Sequence, residues 1–181
     1  MTPGKMEEKV MKKILSAAVL AALLLCLLVP AMAEGVKIGQ VEYAAHGTKC
    51  FAVLTVAMQD DVIADAYIDE FQFMAADSSV GVPNSDAGFG ESYPEGKVLA
   101  SKKVNSETYS ANMATKAGST VALIDNYAAI EAFVTGKTVA ELEAAIEGKT
   151  AEEMVDAVSG CTLVDTLGYV KGLIEAAKAA Q

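Results

Sequence analysis

The 181-residue chain has no arginine, no tryptophan, one histidine and only four prolines. Lysine is its sole strong base, 14 residues against 24 carboxylates, for a formal charge of −10. A chain so short of cations is a poor neutraliser of phosphates, so nucleic acid is not an expected partner. One histidine and three cysteines are too few for a zinc cluster of the usual kind. Charged residues make up 21% and hydrophobic ones 52%, a balance that excludes a disordered chain. These absences leave one ordinary globular domain.

The long hydrophobic run is confined to the beginning. Ile14 to Val29 is apolar apart from Ser16, with Lys12-Lys13 before it and Pro30-Ala31-Met32-Ala33 after it. A basic start, an apolar middle and an Ala-x-Ala end are the parts of a secretory signal peptide. The run falls short of the ~20 residues a spanning helix needs. Leu25 precedes Cys26 where a lipoprotein signal has a small residue, so no lipid anchor is expected. The expectation is a signal peptide over 1–33, cleavage near Ala33, and a secreted, extracytoplasmic domain over 34–181. Loss of four lysines and two glutamates with the leader takes the charge from −10 to −12. Such acidity favours solubility and disfavours docking on anionic lipid.

Alternation then predicts strands. Cys50–Met58 and Val62–Asp69 read as a hairpin, with Val36–Tyr43 a weaker third strand. Pairing Met58 with Val62 sets Val56 against Ala64, Leu54 against Ala66 and Ala52 against Ile68, which makes one face apolar. That register predicts a three-residue loop, Gln59-Asp60-Asp61. Residues 77–106 are rich in Gly, Ser, Pro and Asn and read as a long loop. Helices follow. Leu123, Tyr127, Ile130 and Val134 share a face, and Gly136 can end that helix. Thr138 with Glu141, and Thr150 with Glu153, spell capping boxes. A last helix is predicted from Leu163 to Ala180. Strands first and helices later give an α+β domain, a small antiparallel sheet followed by helices packed on it.

The segment Asp156-Ala-Val-Ser-Gly-Cys-Thr162 breaks the helical pattern just before the last helix. Taken alone, Thr162 with Asp165 is a third capping box, worth about 1 kcal/mol. The segment also resembles the attachment motif of the FMN-binding domain family of extracytoplasmic electron-transfer flavoproteins. That motif is Asp, two variable residues, Ser or Thr, Gly, Ala, then Thr or Ser. Asp156, Ser159, Gly160 and Thr162 match it, and Cys161 stands in place of Ala. The hairpin ending in Asp69-Glu70, and Tyr109 followed by Asn112-Met113, occur in similar order in small secreted members. The likeness covers roughly Val36 to the C-terminus, less closely over 77–106.

The resemblance implies FMN joined covalently to Thr162 through a phosphoester by a flavin transferase. It implies a bacterial protein relaying electrons between a membrane-bound donor and an external acceptor or reductase, an electron carrier more than an enzyme with its own substrate. Tyr109 and Met113 are candidates to lie against the flavin ring, and Glu70 to bond its edge. A helix N-terminus at Thr162 would suit the phosphate, and Gly160 would let backbone approach it. Negative charge near the flavin would lower its potential. Cys50, on the apolar strand face, reads as a buried thiol, or as half of a disulfide with Cys161. His46 reads as a surface loop residue. Two alternatives stand: a binding module of the same fold without flavin, and a reductase whose flavin acts on a small substrate under a lid formed by the long loop.

Overall fold

A computed structural model describes residues 35–47, 49–85 and 91–180. The predicted leader and its cleavage site at Ala33 lie outside the described residues. Four strands form one antiparallel sheet in chain order, β1 (Lys37–Tyr43), β2 (Cys50–Gln59), β3 (Val62–Ala75) and β4 (Lys97–Ser101). Five helices follow: α1 (Ser106–Ala117), α2 (Leu123–Val134), α3 (Val139–Ile146), α4 (Ala151–Ala157) and α5 (Thr166–Ala179). The domain is α+β, as the order of patterns predicts.

Strict alternation makes β2 the centre of the core. Cys50, Ala52, Leu54, Val56 and Met58 are buried, while the residues between them are not. The hairpin register differs from the expectation. Gln59, not Met58, pairs with Val62, so the turn is only Asp60-Asp61, with Asp60 at φ 54°. Ala64 is then extra: Met58 faces Ile63, and Ala57 faces Asp65. This β-bulge switches the phase of the strand. Without it, burying Ala66 and Ile68 would force Ala64 inward and Ile63 outward. With it, Ile63, Ala66 and Ile68 all enter the core. Burying one isoleucine is worth about 1.5–3 kcal/mol, which is the gain that selects the bulge.

Helix α5 packs on β1 and β2. A Cβ on Gly39 of β1 would lie 1.9 Å from the Ala176 carbonyl oxygen, so helix and strand meet backbone to backbone there. Helix α2 packs on β3 through the predicted face, and Leu123, Tyr127, Ile130 and Val134 are all buried. Glu131 of α2 accepts from the Ile68 N–H at 2.8 Å, where β3 has run beyond its pairing with β4. Both predicted capping boxes are formed, Thr138 with Glu141 opening α3 and Thr150 with Glu153 opening α4.

Three expectations need correction. The stretch 77–106 is not all loop, since β4 lies inside it and closes the sheet. Helix α1 was not signalled, because it has no apolar stripe and none of its residues is buried. The last helix starts at Thr166 with Asp165 as N-cap, not at Leu163, and the Asp165 side chain makes no cap bond. The Thr162–Asp165 capping box therefore does not form.

Candidate functional site

Thr162 sits ahead of α5 in the short connection from α4, held there by α2 rather than by its own helix. Its N–H donates to Asn126 Oδ1 at 2.6 Å, and its hydroxyl lies 3.3 Å from the same oxygen. Asn126 is fully buried, and its amide donates to the Val121 and Ala122 carbonyls at the start of α2. One side chain thus ties the first turn of α2 to Thr162, whose own side chain faces solvent.

Next to Thr162 opens a cavity of about 730 Å³. Such a volume falls in the range of roughly 300–1,000 Å³ typical of small-molecule and cofactor sites. The ends of β3 and β4, one face of α1, the start of α2 and residues 162–165 form its wall. Tyr109 and Met113, four apart on α1, present one face to it, with Leu123 and Tyr169 adding apolar surface. The structure therefore brings Thr162, Tyr109 and Met113 to one cavity.

The rest of the motif lies behind that wall. Asp156 ends α4 in solvent, and Ser159-Gly160 makes an exposed turn. Gly160 has φ 86°, and a Cβ there would meet only Ala129 Cβ at 3.8 Å. At that φ the glycine serves a left-handed turn that other residues rarely adopt. Cys161 is buried, with Sγ 3.0 Å from Thr166 Oγ1. Cys50 and Cys161 are separate free thiols. Burial, and then the charge of Glu70, push the Cys50 thiol above its ordinary value, which keeps it neutral.

Glu70 does not reach the cavity. It is fully buried on the inner face of β3, where Oε2 accepts from the Tyr169 hydroxyl at 2.9 Å and from Lys102 Nζ. Lys102, 2% exposed, is the member of this pair in the cavity wall. Burial works against its ammonium, but the charge and hydrogen bond of Glu70, joined by Tyr109, together raise the pKa above the usual lysine value. The turn that delivers Lys102 is built by two other polar residues. Asp69 accepts from the Ser101 hydroxyl at 2.7 Å and from the Glu70 N–H at 2.8 Å. Asn105 bonds the Ser101 carbonyl at 2.8 Å and both backbone groups of Val80. Tyr127 and Tyr169 meet edge to face at 5.4 Å beneath the wall. Burial first, reinforced by the neighbouring acid groups, drives both phenols far above their ordinary value, so they act as neutral hydrogen-bonding groups.

The wall is cationic although the chain is acidic. Lys97, Lys102, Lys116 and His46 line it, against Asp165 as the sole carboxylate among its described residues. His46 is not merely a surface loop residue: its Nδ1 pairs with Asp165 at the rim, and the two are partly exposed. That pairing holds the Asp165 carboxylate at the rim. Among the described residues no group of three or more His, Cys, Asp or Glu could hold a metal ion. None of the described helices is long and apolar enough to cross a membrane.

Compared with protein-family models, curated proteins and solved structures, the chain finds no match in any of the three.

Sequence reasoning missed Asn126, Lys102 and the His46–Asp165 pair. Asn126 did leave a signal, an amide inside the run Leu123–Val134 that the structure buries with the apolar face. Lys102-Lys103 left none, because paired lysines after a short apolar run read as a solvated turn.

Proposed function

We propose that this protein is an extracytoplasmic electron-transfer flavoprotein that carries FMN through a phosphoester to Thr162. It would be loaded by a flavin transferase and relay electrons between a membrane-bound donor and an external acceptor. The observation that carries the reading is the position of Thr162: an exposed hydroxyl, held by its backbone, at the wall of a cavity that Tyr109 and Met113 also line. Bound FMN would supply one- or two-electron redox chemistry, and the protein would supply placement and electrostatics.

The residues fit the group. A planar ring matches the apolar and aromatic surface of Tyr109, Met113, Leu123 and Tyr169. A phosphate matches a wall with three ammonium groups and an imidazole. Phosphate ester formation removes the Thr162 hydroxyl proton, but the N–H bond to Asn126 is untouched, so the residue keeps its place after modification. Support from a helix N-terminus falls away, since Thr162 is not on the first turn of α5.

Intact mass after coexpression with a flavin transferase tests the reading. The expected gain is one FMN less one water, abolished by Thr162→Ala. An unchanged mass, with the transferase active on a control protein, would leave a secreted ligand- or partner-binding module. Turnover of a small acceptor by the isolated loaded protein would instead indicate a reductase.

A further inference from the structure

We propose that Lys102 sets the redox preference of this site: its ammonium, held at the wall by Glu70, places a fixed positive charge beside the bound ring and favours the reduced state. The inference rests on the flavin reading and concerns the charge that the site prefers.

The Glu70–Lys102 pair asks for an explanation beyond stability. A buried ion pair is weak support for a fold, since well-packed apolar residues often serve as well. This pair is fixed with care. Asp69 and Asn105 hold the turn, and the Lys102 N–H donates to the Glu70 carbonyl at 2.7 Å. An ammonium has three donors. One reaches Glu70 Oε2, and the Tyr109 ring lies 4.8 Å from Nζ as a cation–π partner. Tyr109 and Cys50 also lie within hydrogen-bonding reach of Lys102, so the pair puts a fixed, desolvated positive charge in the cavity wall. Glu70 Oε1 also lacks a hydrogen-bond partner, so the carboxylate is committed to Lys102 and Tyr169 through its other oxygen.

Lys102 lines the cavity and Glu70 does not, so the pair is a dipole with its positive end toward the ligand. The oxidised ring is neutral. Two electrons and one proton, supplied by the reductant and water, leave it an anion at neutral pH. A preorganised cation beside it stabilises that product over the starting state. The acidity of the whole chain pointed to a lowered potential. Those carboxylates act across solvent, screened within about 10 Å, whereas Lys102 acts at contact in a poorly hydrated wall. Local charge therefore decides, and the direction is upward.

The test is the midpoint potential of the covalently loaded, full-length mature protein, titrated with dithionite. Lys102→Met should weaken the preference for reduced over oxidised ring about tenfold, a drop of about 30 mV for a two-electron couple. Glu70→Gln should shift it the other way by strengthening the exposed positive end. Lys102→Met alone strands a buried carboxylate, so the double variant Glu70→Gln/Lys102→Met, near in volume and uncharged, must show the same drop in a folded protein. A potential unchanged in the double variant and in Glu70→Gln overturns the role of Lys102 and leaves the flavin reading intact. Failure of the wild-type chain to load, with active transferase, overturns both.

Discussion

Helices α3 and α4 each open on a threonine bonded to the glutamate three residues on, whereas the cavity wall is fixed by polar pairs far apart in the chain. Glu70 meets Lys102 across 32 residues and Tyr169 across 99, and Asn126 meets Thr162 across 36. The helix caps are exposed and replaceable by water. The Glu70 pairs are buried, and each leaves a desolvated group behind if one partner goes, as does buried Asn126 beneath exposed Thr162. Local polar bonds thus set boundaries, while buried distant ones set the site, and the two should respond differently to substitution and to pH.

The largest difference should appear at Lys102. Lys102→Met leaves Glu70 charged and buried, at an expected cost of about 3–5 kcal/mol. Adding Glu70→Gln should recover most of that loss, and urea unfolding of the four members of the cycle checks it. A double variant no more stable than Lys102→Met would show that the pair is not the unit the structure suggests.

Alkali should find the same region next. Cys50, Tyr127, Tyr169 and Lys102 all have folded pKa values above their ordinary 9.0, 10.0, 10.0 and 10.5. A group with a raised folded value contributes its full stability below its unfolded pKa and loses it as pH climbs toward the folded one. Stability should therefore fall from about pH 9 upward. Tyrosine ultraviolet difference spectra followed alongside unfolding should show Tyr127 and Tyr169 ionising only as the protein opens. Ionisation of Tyr127 or Tyr169 at about pH 10 in a still folded protein, told apart from the four other tyrosines by Tyr127→Phe and Tyr169→Phe, would break the account.

What could be read in advance follows the same division. β2 was legible because every second residue is apolar and buried, and α2 because Leu123, Tyr127, Ile130 and Val134 keep helical spacing. The boxes at Thr138 and Thr150 were legible because both partners sit within four residues. The bulge at Ala64 was hidden because Val62 and Ile63 are both apolar, so pattern alone does not choose which one enters the core. α1 was hidden because it carries site residues instead of a buried stripe, and β4 because five residues in a polar stretch make a weak signal. The α5 start was misread for a related reason. Thr162-x-x-Asp165 has the letters of a cap, but Asn126 takes the Thr162 N–H and His46 takes the Asp165 carboxylate. Likeness to a known motif picked out Thr162, Tyr109 and Met113, which line one cavity, while Lys102 and Asn126 depend on distant pairing that one sequence does not display.

Asn126→Ala should have a smaller but more telling effect. It removes the acceptor for the Thr162 N–H and the donor to Val121 and Ala122, costing about 1–3 kcal/mol. It should also lower the fraction of chains that gain FMN mass, because Thr162 is no longer held at the wall. A variant that is destabilised but fully loaded would separate anchoring from modification and weaken the assignment of Asn126 to the site.

The smallest effects belong to the caps. Thr138→Ala and Thr150→Ala should each cost about 1 kcal/mol, with no change in loading. The two boxes open separate helices, so the losses should add within about 0.5 kcal/mol. Glu141 and Glu153 also have lowered pKa values, held down first by the backbone N–H of the capped threonine and then by its side chain. A lowered carboxylate gives its stability above the ordinary 4.5 and loses it as pH falls through the folded value. In the Thr138→Ala/Thr150→Ala double variant, which keeps the backbone N–H donors, the acid limb of the stability profile should flatten only in part, while the alkaline limb from Cys50, Tyr127, Tyr169 and Lys102 stays in place. An alkaline limb that moved with the caps would mean that the two regions are coupled, and that local and distant polar bonds do not divide the work as their burial implies.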